Sequence, residues 1–316
     1  MISLKLNMKT LICSILFLTA IFVFTGCHNK AELDANGMPG KLVIGVYAGG
    51  DNPNGLKSAL VPLKDYLEKK LGIEVEFNYS TDYTSIIEAL RAKKVHVAYL
   101  SPFSYVLASQ KHDITPIVTV GEDGKPHMYH SVIFTNYNTH LNSMEDVKTR
   151  AKSLTLCFAD PASTSGHLIP RAYLVTLGLN PDNNAFKQTI FAGSHPASVL
   201  SVASGKIDVG CSTKEYGLDL LLRRGVLKPG LVKVLWQSDP IVSSPIVVRD
   251  DLNKAFAKKI KDIYLNMAKD APYAFQPYIK LYLTHPERLS YMTVQDSMYN
   301  GLRKIASGIK DLNSAN

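Results

Sequence analysis

From Lys41 onward, short β-branched runs alternate with segments of helical period, and a chain can bury both only by laying helices on the faces of a sheet. The alternation predicts an α/β fold with largely parallel sheets. A first group of strands is expected at residues 42–47, 73–79, 95–100, 114–120 and 128–136. Between them helices are expected at 56–70, stopped by Gly72, from a cap at Thr81 or Asp82 to Lys94, and at 103–111, opened by Ser101 and Pro102. A second group follows, with strands at 154–159, 189–192, 207–211 and 232–237 and helices at 167–177, 196–203 and 215–224. After Pro245 the apolar strand of Ile246, Val247 and Val248 is expected to be followed only by helices. Such a strand needs a sheet to join, and the first group is expected to take it. The chain then crosses twice between lobes, near 131–135 and near 239–245. Residues 41–132 with 246–316 would form one lobe and 133–245 the other, with a ligand cleft at the hinge between them.

Charge narrows the partners. The 316 residues carry 35 Lys and Arg against 27 Asp and Glu, a formal charge of +8. Basic residues never run beyond pairs such as Lys69-Lys70 and Arg223-Arg224, so no nucleic-acid surface is expected, whereas a small anion suits the balance. Cys157 and Cys211 lie in strand-like runs and read as buried free thiols. At the other end of the argument, Lys5 and Lys9 precede an apolar run from Leu11 to Phe24 that ends at Gly26-Cys27. The run is short for the roughly 20 residues that cross a bilayer and reads as a secretory signal. It resembles a bacterial lipoprotein signal, in which residues 1–26 are removed and Cys27 is lipidated. Residues 27–40, polar and without apolar period, would be the tether.

The sharpest chemical feature is Asp160-Pro161-Ala162-Ser163-Thr164-Ser165-Gly166, placed between a strand and a helix. A helix start offers unpaired N–H groups and the positive end of its dipole, so three adjacent hydroxyls there can cradle an oxyanion. One hydroxyl would suffice for a cap. Pro170, lacking an N–H, should kink the first turn. Gly193-Ser194-His195-Pro196 repeats the geometry and aims His195 from a second helix start, where it can donate to an anion or be merely solvated. Neither a Gly-x-Ser-x-Gly elbow nor a phosphate-binding Walker loop is present. His127 and His130, three apart on an expected strand, face opposite ways and make a poor metal pair, so no metal or cofactor is expected.

The stretches Tyr99-Leu-Ser-Pro-Phe-Ser-Tyr-Val-Leu-Ala, Asp160-Pro-Ala-Ser-Thr-Ser-Gly-His-Leu-Ile-Pro and Gly193-Ser-His resemble the motifs of the phosphate, phosphite and phosphonate substrate-binding proteins of ABC importers. The resemblance implies a two-lobed periplasmic binding protein fold of type II, closing on a tetrahedral phosphorus oxyanion. Ser163, Thr164, Ser165 and His195 would grip the anion, and Tyr83 and Tyr129 would touch it from the other side. The chain would be an extracytoplasmic, lipid-anchored monomer that performs no catalysis and passes its ligand to a membrane permease. Glu215 has two readings: a partner for a ligand amine, as in aminophosphonate binders, or the closing glutamate of the capping box Ser212-Thr213-Lys214-Glu215. Those binders also carry an acid before the proline of the second crossing, where this chain has Ser243-Ser244-Pro245, which implies an amine-free ligand. The residues also admit an extracytoplasmic serine hydrolase, with His195 as base to a serine of 163–165, and a sensory binding module for the same ligand.

Overall fold

In a computed structural model, which describes residues 32–50 and 52–309, the alternating runs form three sheets. The strands of the first half are β1 (Lys41–Tyr47), β2 (Glu74–Ser80), β3 (Val97–Tyr99), β4 (Ile114–Glu122), β5 (Lys125–Pro126), β6 (Met128–Tyr129) and β7 (Ser131–Asn136). Those of the second are β8 (Thr155–Phe158), β9 (Gln188–Phe191), β10 (Val209–Thr213), β11 (Val232–Gln237), β12 (Ile241–Val242), β13 (Pro245–Arg249) and β14 (Leu289–Thr293). One sheet runs β14-β4-β13-β3-β1-β2 with β5 beside β4, and another runs β11-β7-β10-β8-β9. The expected leader 1–26 and Cys27 lie outside the described residues.

Both sheets are covered on both faces. Alternation along β1 sends Leu42, Ile44 and Val46 into one core and Val43 into the other. The first core is closed by the helix Pro53–Leu71, which is capped by Asn52 through the Gly55 N–H and ended by Gly72 at positive φ. Its Leu60, Leu63 and Leu67 share one face and are fully buried, each contributing about 1.5–3 kcal/mol. In the second lobe Cys157 and Cys211 are buried free thiols on opposite faces of their sheet.

The sheets are mixed rather than largely parallel. β1, β2, β3 and β4 run one way while β5, β13 and β14 oppose them, and in the second sheet β7 alone opposes its neighbours. Strands joined through a helix come back parallel, but β7 and β13 arrive from the other lobe and enter from the cleft end. The expected strand 128–136 is broken at His130. Its first part, β6, pairs with β12 in a two-stranded ladder, Tyr129 opposite Ile241, and its second part is already in the second sheet. The first crossing therefore falls at 127–130 and not within 131–135, and Pro245 already belongs to the first sheet.

Two further segments differ from the sequence reading. The C-terminal region is not all helical, because Leu289–Thr293 adds the edge strand β14 to β4, with Leu289 and Tyr291 buried. Residues 32–40 are not an extended tether. Asp34 accepts from the Asn36 and Met38 N–H groups, Gly37 takes a positive φ, and the Gly37 carbonyl accepts from Asn253, so Leu33 and Met38 dock on the first core.

Candidate functional site

The Ser-Thr-Ser turn leaves β8 through Asp160, whose carboxylate accepts from the Ala162 N–H at 2.7 Å and whose carbonyl accepts from Ser163 N–H at 3.0 Å. Burial raises the Asp160 carboxyl above its ordinary range. Ser163 is the helix cap, accepting from Gly166 N–H at 3.0 Å. The turn that follows, Thr164–Leu168, is a π-turn, in which Leu168 and Ile169 donate five residues back to Ser163 and Thr164. Pro170 explains it. With no N–H at 170, the Ser165 and Gly166 carbonyls lose their helical donor, and Ser131 Oγ at 2.6 Å and the Ala159 N–H at 2.9 Å take them instead. The expected kink is thus absorbed in one wide turn. At Gly166 a Cβ would lie 2.4 Å from that of Ala159 and 2.9 Å from the His195 ring, so the turn tolerates only glycine.

Ser194 caps the helix His195–Ala203 through Ala197 N–H, which fixes His195 at the first helical position. The imidazole is buried, and burial pushes it down to about 4. Its Nδ1 accepts from the Thr213 N–H at 3.2 Å, so the single proton of the neutral ring is assigned to Nε2. Nε2 faces Ser163 Oγ at 3.3 Å. His195 is therefore a neutral donor, not merely a solvated loop histidine.

The first lobe supplies the opposite side. Tyr47 and Tyr83 stack with ring centroids 4.1 Å apart, and Tyr129, on β6, lines the same cavity as Thr164 and Ser165. Burial raises all three phenols, so they keep their protons. The helix Pro102–Ser109 points its start at the turn: Phe103 N–H donates to Thr164 Oγ1 at 2.8 Å, and Ser101 and Ser104 donate to the Ala162 carbonyl. On the far side Arg223 and Arg224 donate to the Tyr282 and Leu281 carbonyls, at 2.9 and 2.7 Å, tying the second lobe to the end of the helix Pro272–Lys280.

A cleft of about 180 Å³ brings together Tyr83, Tyr129, Ser163, Thr164, Ser165 and His195. Among the described residues none that lines it is charged. Glu215 does not line it. Its carboxylate accepts from His130 N–H at 2.9 Å and meets His130 Nδ1 at 2.7 Å, and Ser212, the expected cap, lies in the β10–β7 ladder opposite Val132, so neither of its expected roles is seen. The glutamate instead pins the first crossing. Ser243 and Ser244 do line the cavity, as does Thr213, which sequence reasoning missed. The Thr213 hydroxyl is buried and has no hydrogen-bond partner among the described residues. Its signal was a third hydroxyl at a strand end before a helical turn, the arrangement already seen at Ser163 and Ser194.

A family described as ABC transporter, phosphonate, periplasmic substrate-binding protein matches residues 49–281. The chain belongs to that family. The Phosphate-import protein PhnD of Mycolicibacterium smegmatis is 28% identical over 292 residues, 89% of each chain. The Phosphonates-binding periplasmic protein of Escherichia coli is 34% identical over 220 residues, 69% of this chain and 64% of that one. A binding protein component of an ABC phosphonate transporter from Pseudomonas aeruginosa has the same two-lobed fold, with a TM-score of 0.74 at 25% identity over 87% of this chain and 88% of that one. The range matched by the phosphonate-binding family takes in Ser163, Thr164, Ser165, His195 and Thr213.

Proposed function

We propose that the chain captures a phosphorus oxyanion, a phosphonate, phosphite or phosphate, between its lobes and delivers it to an ABC permease. The observation that carries this is the convergence of buried, neutral donors from three strand ends, Ser163 to Ser165, His195 and Thr213, on one cleft. Such donors stabilise an anion without neutralising it, which leaves it releasable when the lobes part. Relatives named for phosphate import and for phosphonates support the same ligand class. A hydrolase is disfavoured chemically, because the His195 nitrogen facing Ser163 holds the proton and, among the described residues, no carboxylate orients the ring. With Glu215 engaged by His130 and Ser244 in place of an acid, the ligand carries no amine.

Ligand-stripped protein titrated with phosphate, phosphite and methylphosphonate tests the reading. A ligand at a hundred times its dissociation constant should add about 2.7 kcal/mol of stability. Ser165→Ala should shrink that gain with little change in the unliganded protein, whereas Ser163→Ala should also cost about 1 kcal/mol through its lost cap. No stabilisation by any of the three compounds refutes the proposal. The lipid anchor is a separate arm: Cys27→Ser should move the protein from the membrane to the soluble fraction, and a mutant that stays on the membrane refutes it.

A further inference from the structure

The net charge of the chain is gathered on one face of the first lobe. Of the formal +8, Lys5 and Lys9 lie in the expected leader, so residues 27–316 carry +6. Three helices, Pro53–Leu71, Lys254–Asp270 and Pro272–Lys280, pack on one another and on the same core. They hold ten lysines against four acids, so this single layer accounts for the whole +6. Its most ordered part is a stripe that no run in the sequence announces. On the helix Lys254–Asp270, Phe256, Ile260, Ile263, Tyr264 and Met267 are buried in the core. At about 100° per residue Lys254, Lys258, Lys261 and Lys269 fall on the opposite side, within an arc of about 80° and along about 22 Å. Among the described residues Asp262 pairs with Lys258 at 2.6 Å, while Lys254, Lys261 and Lys269 form no ion pair.

The same helix receives the N-terminal segment. Its cap, Asn253, donates from its N–H to the Gly37 carbonyl at 2.8 Å and from Nδ2 to the Asn36 carbonyl at 3.0 Å, and Leu33 bridges Pro39. Cys27 stands five positions before Glu32, a reach of at most about 18 Å. An anchor at Cys27 therefore brings the start of the stripe to the bilayer surface.

We propose that the lysine stripe of the helix Lys254–Asp270 docks on anionic lipid headgroups and so fixes how the first lobe lies on its membrane. Short reach from the anchor and opposite charge name the occupant. Lysine ammonium groups on flexible stems suit a diffuse layer of headgroup charge, and each one close to such a surface strengthens binding about fivefold. The orientation rests on the Cys27 anchor proposed above, whereas the docking surface stands without it.

Sedimentation of the mature Cys27→Ser chain with vesicles of phosphatidylcholine, alone or mixed with phosphatidylglycerol, tests the docking. Binding to the mixed vesicles should be more than tenfold tighter at about 0.1 M salt and be lost at about 0.5 M, where screening shortens the reach of each charge. Lys254→Glu with Lys261→Glu should abolish the preference. Lys206→Glu with Lys228→Glu, the same change of charge at exposed sites on the second lobe, should leave it within about twofold. Both double variants should keep the parental urea midpoint, so that lost binding does not come from unfolding. Equal binding to the two kinds of vesicle, or equal losses in the two double variants, overturns the proposal. So does a stripe variant that keeps its vesicle binding but loses phosphonate uptake in cells, a result that would assign the lysines to an acidic face of the permease. Each of these failures leaves the Cys27 anchor standing, because membrane fractionation tests it separately.

Discussion

Thr213→Val separates a ligand-facing hydroxyl from a structural one by giving the two states opposite signs. Thr213 ends β10, is 2% exposed, and lines the cavity with an unpartnered hydroxyl, while its backbone N–H serves His195. Valine keeps the shape and leaves that N–H in place. A buried hydroxyl without a partner costs about 1–3 kcal/mol, part of which water in the cavity recovers, so the unliganded variant should be as stable as the parent or up to about 2 kcal/mol more stable. In the complex the same hydroxyl donates to an anion, and losing a charge-assisted bond of about 1.5–3 kcal/mol weakens binding about ten- to a hundredfold. Urea unfolding of the stripped protein reads the first effect, and calorimetric titration with methylphosphonate the second. A variant destabilised by more than about 1 kcal/mol that binds with parental affinity would refute the reasoning, since the hydroxyl would then serve the fold and not the ligand.

Glu215→Ala should lower stability by about 1–3 kcal/mol, because the His130 N–H loses a charged acceptor, and should leave the preference between methylphosphonate and 2-aminoethylphosphonate unchanged; a selective loss of the amine compound would return the glutamate to the ligand. Acidification should weaken the fold below pH 6.5: burial holds His167 and His195 down to about 4, so between those values the unfolded chain binds the extra protons, and stability falls by up to about 1.4 kcal/mol per pH unit for each ring. Urea midpoints flat from pH 7 to pH 4.5 would contradict this, and His195→Gln should remove about half of the slope. Arg223→Ala with Arg224→Ala should speed ligand dissociation several-fold in stopped flow while changing unliganded stability by less than about 1 kcal/mol; unchanged dissociation would show that these cross-cleft bonds do not hold the lobes together.

The fold was legible wherever local pattern and tertiary role coincide. The three hydroxyls of 163–165 and the cap at Ser194 could be read because each sits at a strand end where a helix start needs them. Glu215 could not, since the Ser-x-x-Glu spacing of a capping box says nothing of a partner 85 positions earlier in the chain. The π-turn could not be read from Pro170, because the Ser131 hydroxyl that takes the Ser165 carbonyl lies 34 positions earlier in the chain. β14 carries the alternation of a strand over just five residues, too few to outweigh the helical pattern around it. Nor does anything local distinguish the tyrosines of the cavity from the rest of the 16, because Tyr47, Tyr129 and Tyr278 come to line one cavity only through the topology.

The uncharged lining has a consequence in time. A cation in a cleft draws anions towards it and can raise encounter rates ten- to a thousandfold at low salt, but here the described lining projects no such field and the positive charge lies on the surface outside it. Arrival of the ligand should therefore depend little on ionic strength, and discrimination among anions should reside in how long each one dwells. That dwell time belongs to the lobes, because hydrogen bonds end within a fraction of an ångström of opening whereas an ion pair would persist across the gap. A permease that draws the two lobes apart would receive its cargo without having to pull it from a counter-charge.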